Sequence, residues 1–241
     1  MMRSVEESLK RLDTDTIDLL WLHAWDFTTP VDEVLRGLND LIAQGKVHYI
    51  GISDTPAWIV AQANTIAELR GWNAFVGLQV EYSLLQRTVE RDLIPMAKQF
   101  DLAVTPWAPL AGGALTGKYI LPNSEEGRVK EDSKRRSEWA NKIVKVLVDE
   151  AKQIGVSPAQ LALKWVMEQG DLIIPIVGAR KVNQLEDSLK AIEVEIPTET
   201  MQKLNEASAI ELGFPHDFLG QKGIDENLFG GIRDKILNHR I

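Results

Sequence analysis

TDTIDLLWLHAWD, residues 14–26, ends an apolar run abruptly in His23. Such a run, bounded by polar residues, predicts a buried strand, TIDLLWLH (16–23), that delivers a polar side chain at its carboxyl end. Four more stretches have the same character: VHYIGISD (47–54), AFVGLQVEYS (74–83), LAVTPWAPL (102–110) and DLIIPIVGA (171–179). Most are apolar on both faces, as strands of a parallel sheet covered on both sides are.

Helical patterns lie between them. PVDEVLRGLNDLIAQGK (30–46) sets Val31, Val34, Leu35, Leu38, Leu41 and Ile42 on one stripe, and Gly45 suits its end. TPAWIVAQANTIAELRG (55–71) opens with Pro and closes with Gly. Residues 91–100, 137–155, 157–170 and 181–192 read as further helices, and 1–13 as an amphipathic one. Strand–helix alternation implies βαβ units and an α/β fold. Polar or special residues gather at the strand ends: His23, Ser53 with Asp54, Gln79, Trp107 and Gly178. That is where a (β/α)8 barrel builds its site. A Rossmann sheet is the competing architecture, but no G-x-G-x-x-G follows any strand. A barrel needs eight units, whereas these runs supply five and a leading helix. The remaining length is taken by 117–136 and by the segment after Ile192.

Composition narrows the function. There are no cysteines, and the four histidines show no metal-ligand spacing. A net charge of −8 argues against a broad nucleic-acid surface but permits a local basic pocket. No apolar run approaches the roughly 20 residues of a membrane span, and the N-terminus has no signal-peptide pattern. A cytoplasmic protein is expected.

Five signatures stand in order along the chain: LDTDTIDLLWLHAWD, GKVHYIGISD, LQVEYSLLQR, TPWAPLAGGALTGKY and IPIVGARKVNQLEDSL. On these the sequence resembles the aldo-keto reductase family, from about Ser4 to about Ile192. The resemblance implies a (β/α)8 TIM barrel and NADPH-dependent reduction of an aldehyde or ketone, with a small carbonyl compound as substrate. Aligned on the motifs, the chain starts at the family's third helix. Its strands would be the fourth to eighth, and the first three βα units would be absent. The expectation is one incomplete barrel domain over 1–241, with 193–241 a C-terminal tail of helix and loop.

Hydride transfer to a carbonyl leaves an alkoxide that must be held and protonated. The resemblance assigns this to a tyrosine aided by lysine, aspartate and histidine. His23 matches the histidine; read locally, it equally suits a residue that caps a strand. The other three would lie on the absent segment. Tyr49 sits about 13 Å down the strand from Ser53, at ~3.3 Å per residue, and reads as core. Tyr82 has the opposite parity from Gln79, and Tyr119 follows a turn. Trp25 and Phe27 would line the substrate mouth.

The resemblance also implies a site for NADP(H). Ser53, Asp54 and Gln79 would hold the nicotinamide carboxamide, with an N-cap on helix 55–71 the other reading of Asp54. Trp107 would stack on the ring, or serve as core. Ala108, Pro109 and Leu110 lead into PLAGG (109–113), whose backbone amides would approach the diphosphate. Lys118 would contact phosphate, and Arg128 would close over it or stay a solvated charge. Gly178 leaves room for a phosphate. Arg180 with Lys181, before a helix start, suits the 2′-phosphate. Gln184, Asp187 and Ser188 take the adenosine-contacting places, or form a polar helix face.

Three functions follow: a reductase whose Tyr, Lys and Asp come from elsewhere, an inactive nucleotide-binding or regulatory module, or a gene fragment. An incomplete sheet exposes strand edges, so self-association that covers them is expected.

Overall fold

The computed structural model describes residues 1–120 and 129–237. The fold is α/β with a parallel sheet, as expected, ordered β1-β2-β3-β4. Packing divides the chain into two compact units. One is Met1–Val80 with Asp92–Thr105; the other is Glu81–Arg91 with the described chain from Pro106 onward.

The first unit runs α1 (Met2–Leu12), β1 (Ile17–Leu22), α2 (Val31–Ala43), β2 (Val47–Ser53) and α3 (Ala57–Arg70). It continues with most of β3 (Gly77–Glu81), α4 (Leu93–Gln99) and the start of β4 (Ala103–Trp107). On α2 the predicted stripe buries Val34, Leu35, Leu38 and Leu41, while Val31 and Ile42 are half-buried. Each full burial of such a side chain contributes about 1.5–3 kcal/mol. On α3, Asn64 is buried because its amide imitates backbone. Its Nδ2 donates to the Phe75 carbonyl at 3.1 Å, and its Oδ1 accepts from the Phe75 N–H at 3.0 Å. This pins the approach to β3.

Register explains two glycines. Trp21 on β1 pairs with Gly51 on β2, which pairs with Gly77 on β3. A Cβ at Gly51 would lie 2.5 Å from the Trp21 ring, and one at Gly77 3.0 Å from it. The indole therefore lies across bare backbone. One expectation fails on this face: Tyr49, read as core, is 60% exposed, beside its register partner Leu19. Ile50 and Ile52, on the opposite face, are buried. Alternation shows that a strand has two apolar faces, but not whether both are covered.

The second unit contains α5 (Glu138–Ile154), α6 (Pro158–Met167), α7 (Val182–Leu189), α8 (Thr198–Ala207), α9 (His216–Leu219) and α10 (Lys222–Phe229). The last three follow residue 192. Ser137 starts α5 by accepting from the Ala140 N–H, and Gly155 ends it at φ 75°. Ser157 and Gln160 form a capping box on α6. Trp165 on α6 is fully buried and donates from Nε1 to Asn205 Oδ1 at 2.9 Å. Arg87 stacks on its indole, binds Glu90 through two nitrogens, and donates to Ser208. Tyr82 packs edge-on to the same ring and donates to Glu90 at 2.7 Å. The EYSLLQR segment is thereby locked to α6 and α8.

The stretch 171–179 forms no strand, so the sheet has four strands and not the five expected. Ile176 donates its N–H to the Pro106 carbonyl at 2.8 Å. Pro175 beside it has no N–H to extend a ladder. Leu172, Ile174 and Ile176 remain 45–60% exposed.

Candidate functional site

A cleft of ≈ 730 Å³ opens in the second unit. One wall is the turn after β4, with Ala108, Pro109, Leu110, Gly112, Gly113 and Lys118. The facing wall is Gly178, Arg180, Lys181, Gln184, Asp187 and Ser188. Ala159 and Leu163 of α6 lie between them. Stretches some 70 residues apart in the sequence, APLAGGALTGK and GARKVNQLEDS, thus meet across one space.

The first wall is built from unusual backbone. Pro109 offers no N–H to prolong β4, and Ala108 turns to φ 49°. Ala111 is also left-handed at φ 49°, followed by Gly112 at 68° and Gly113 at 96°. Left-handed alanine costs roughly 1–2 kcal/mol. Such strain gathers at sites where backbone must be placed for a ligand. The expected role of these amides needs correction. The Ala111 N–H bonds to the Ala108 carbonyl and the Gly113 N–H to that of Leu110, both at 2.8 Å. The tight left-handed turn spends those donors on itself.

On the second wall, α7 starts with no acidic residue in its first turn, so its positive end is not offset there. Gln184 Oε1 accepts from the Arg180 N–H at 3.1 Å, which fixes the backbone carrying the guanidinium. Asp187 faces away from a simple contact role. Its carboxylate accepts from Ser157 Oγ at 2.7 Å and from Gln160 Nε2 at 2.6 Å. It ties α7 to the capping box of α6, while Lys118, Arg180 and Lys181 line the same cleft. Ser188 is nearly buried below it.

Trp107 ends β4, half-buried and outside the lining of the cleft. Arg128 lies outside the described residues. In the first unit, Ser53 at the end of β2 is the register partner of Gln79 in the middle of β3, Ser53 buried and Gln79 half-buried. Asp54 is not a cap: α3 has Pro56 at its N-cap position, and Asp54 stands at φ 44°. His23 follows the last residue of β1 and is exposed. Asp26 shapes the loop behind it, accepting from the Thr28 and Thr29 N–H groups and from the Thr29 hydroxyl. Those bonds, Thr29's first, hold its carboxyl at about 2. The loop leaves Trp25 half-buried and Phe27 69% exposed at φ 59°.

None of the three tyrosines presents a hydroxyl as a proton donor to the cleft. Tyr49 is on the open sheet face. Tyr82 is buried against Glu90, and burial, then that carboxylate, pushes its ionisation far up. Tyr119 accepts from the Val129 N–H at 2.9 Å, its ring held between Lys118 and Arg136. The contributions of Ala159, Leu163 and Val177 were missed from sequence, because apolar lining and apolar core look alike in a helix pattern.

The sequence profile of the aldo/keto reductase family matches residues 1–209. An aryl-alcohol dehydrogenase [NADP(+)] of Phanerodontia chrysosporium is 38% identical over 232 residues, which is 93% of this chain and 60% of that protein. A probable aryl-alcohol dehydrogenase of Saccharomyces cerevisiae, AAD4, is 35% identical over 90% of this chain and 68% of its own. A norsolorinic acid reductase of Aspergillus flavus is 37% identical over 90% of this chain and 54% of its own. The chain thus spans a little over half to two thirds of the length of these relatives.

Proposed function

The chain belongs to the aldo/keto reductase family, and from that premise we propose that it carries the NADP(H)-binding part of a carbonyl reductase. The observation that carries this reading is the cleft. Its volume lies in the range of about 300–1,000 Å³ usual for ligand sites. Cations stand on both walls, Lys118 on one and Arg180 with Lys181 on the other, which suits a ligand with phosphates at two places. The Phanerodontia relative is named for NADP(+).

When bound, NADPH supplies the hydride. Arg180, Lys181 and the start of α7 hold the 2′-phosphate, and Lys118 holds the diphosphate. Gln184 and Ser188 bound the adenosine. Ser53, Asp54 and Gln79 take the carboxamide, and Trp107 lies against the nicotinamide ring. His23 orients the carbonyl oxygen, and Trp25 and Phe27 meet the substrate, an aromatic one by analogy with the aryl-alcohol dehydrogenases among the relatives. The proton donor is a tyrosine, with its lysine and aspartate, supplied from outside these 241 residues, because Tyr49, Tyr82 and Tyr119 are all otherwise placed. The barrel is then completed from the same outside source.

Steady-state NADPH oxidation with a panel of aromatic aldehydes tests catalysis. The chain alone is expected to turn over none of them. Quenching of tryptophan emission by NADPH tests binding, and unchanged emission at millimolar NADPH would sink the whole reading. The engaged tyrosines favour one alternative, a nucleotide-binding or regulatory module without catalysis. It stands if NADPH binds and no complementing polypeptide restores turnover.

Self-association is proposed with it. The open face at Leu19 and Tyr49 and the edge position of β1 support it. A monodisperse monomer by light scattering would overturn it. The cytoplasm is the proposed compartment, checked by fractionation. Among the described residues no helix is long and apolar enough to cross a membrane.

A further inference from the structure

The turn after β4 spends several of its amides on itself, which gives side-chain charge near it a larger part in holding an anion. Besides the bonds of Ala111 and Gly113, the Leu115 N–H bonds to the Leu110 carbonyl and the Gly117 N–H to that of Ala114, both at 3.3 Å. Two cations press on the glycine pair. A Cβ at Gly113 would lie 3.3 Å from Lys118 Nζ. A Cβ at Gly112 would lie 3.0 Å from Arg135 Nη1. Lys118 lines the cleft, whereas Arg135 stands behind the turn and lines a neighbouring hollow with Glu81 and Trp139.

Arg135 is held from two sides. Its Nη2 is bonded to Glu81 Oε1, and its backbone N–H donates to Ser133 Oγ at 3.3 Å. The guanidinium fork explains why arginine suits this place: one nitrogen is given to Glu81 while the other is turned to Gly112. The ion pair is a dipole with its positive end against the backbone of the turn. Its side chains are 32% and 23% exposed, so water screens it only in part.

We propose that Arg135 is a second cation for the diphosphate of the dinucleotide, acting across Gly112 while Lys118 acts from within the cleft, and that Glu81 orients it. This deepens the function proposed above and rests on it. It also fits the glycine at 112, where the backbone stands at φ 68° and a Cβ would crowd the guanidinium.

Isothermal titration of the whole chain with NADPH, and separately with adenosine 2′-monophosphate, tests the assignment. The second probe keeps adenine and the 2′-phosphate but has no diphosphate. Arg135→Met is expected to weaken NADPH about tenfold, one step of 1.4 kcal/mol, and to leave the monophosphate unchanged. Unchanged NADPH binding would overturn the proposal. So would equal weakening of both probes, the mark of a merely structural role. Glu81→Gln keeps an acceptor and removes the compensating charge, so NADPH should bind about threefold tighter; equal or weaker binding counts against the proposal even if Arg135→Met does not fold. Failure of the unaltered chain to bind NADPH would remove the cofactor reading itself. Binding by the unaltered chain with no response to these variants would remove Arg135 alone.

Discussion

The cleft of the second unit and the strand ends of the first carry the same kind of residue but differ in how those residues are held. In the cleft, Asp187 is tied to Ser157 and Gln160, Gln184 to the Arg180 backbone, and Lys118 lies against Gly113. At the strand ends His23 is exposed, and the loop behind it is shaped by Asp26 alone of its acidic residues. The difference is that the second unit holds its cleft-lining side chains by bonds within that unit, on two loops and a helix. At the strand ends His23 and Phe27 stand exposed, and among the described residues neither has such a tie to a neighbouring helix.

The largest expected effect falls on the scaffold of the cleft. Trp165→Ala would open a cavity, strand Asn205 Oδ1 and remove the surface on which Arg87 stacks. A loss of about 3–5 kcal/mol is expected, read by urea unfolding, with NADPH binding lost as well. If binding survived, the cleft would not depend on the locked EYSLLQR segment. Asn64→Ala leaves the Phe75 N–H and carbonyl without their buried partner. It should cost about 1–3 kcal/mol in the first unit and leave NADPH affinity unchanged. A parallel loss of affinity would show that the two regions are not independent.

Smaller effects sharpen the contrast. Arg180→Gln should weaken NADPH about tenfold with little change in NADH binding, since a charged hydrogen bond to the 2′-phosphate contributes about 1.5–3 kcal/mol. Equal weakening of both nucleotides would deny Arg180 that phosphate. Asp26 predicts a pH dependence at the other site. Its carboxyl is held at about 2, below the usual 3.8, so its ordering of the loop is fully present above 3.8 and is lost as pH falls through about 2. Trp25 emission should report a midpoint near 2 that Asp26→Asn abolishes; a midpoint near 3.8 would contradict the hydrogen-bonded loop. Last, His23→Ala should move unfolding by no more than about 0.5 kcal/mol, because the ring is exposed. It should leave NADPH affinity intact as well. A large loss of stability would make His23 a structural cap after all.

Much of the fold is legible in the chain. The seven helices expected from periodicity and end signals are present, from α1 through α7, and four of the five apolar runs are strands. DLIIPIVGA forms no strand because a single bond, from the Ile176 N–H to the Pro106 carbonyl, does not make a ladder, and composition says nothing of partners. Pro175 was the visible warning. Tyr49 fails for a related reason, since an apolar face reads the same whether covered or open. Among the described residues, the proposed cofactor positions from Ala108 to Ser188 line one space, and two of them have further bonds that the sequence did not announce. The Ala111 and Gly113 amides bond within the turn, and Asp187 serves the joint between α6 and α7.

Local pattern therefore accounts for the elements, their order and the family to which the chain belongs, because periodicity, caps and motif residues act over a few neighbours. The roles of Arg135, Glu81 and Asp187, and the open face at Tyr49, come from residues far apart in the chain meeting in space. A guanidinium becomes a counter-charge for a phosphate only when a distant carboxylate turns it and a bare glycine lets it approach.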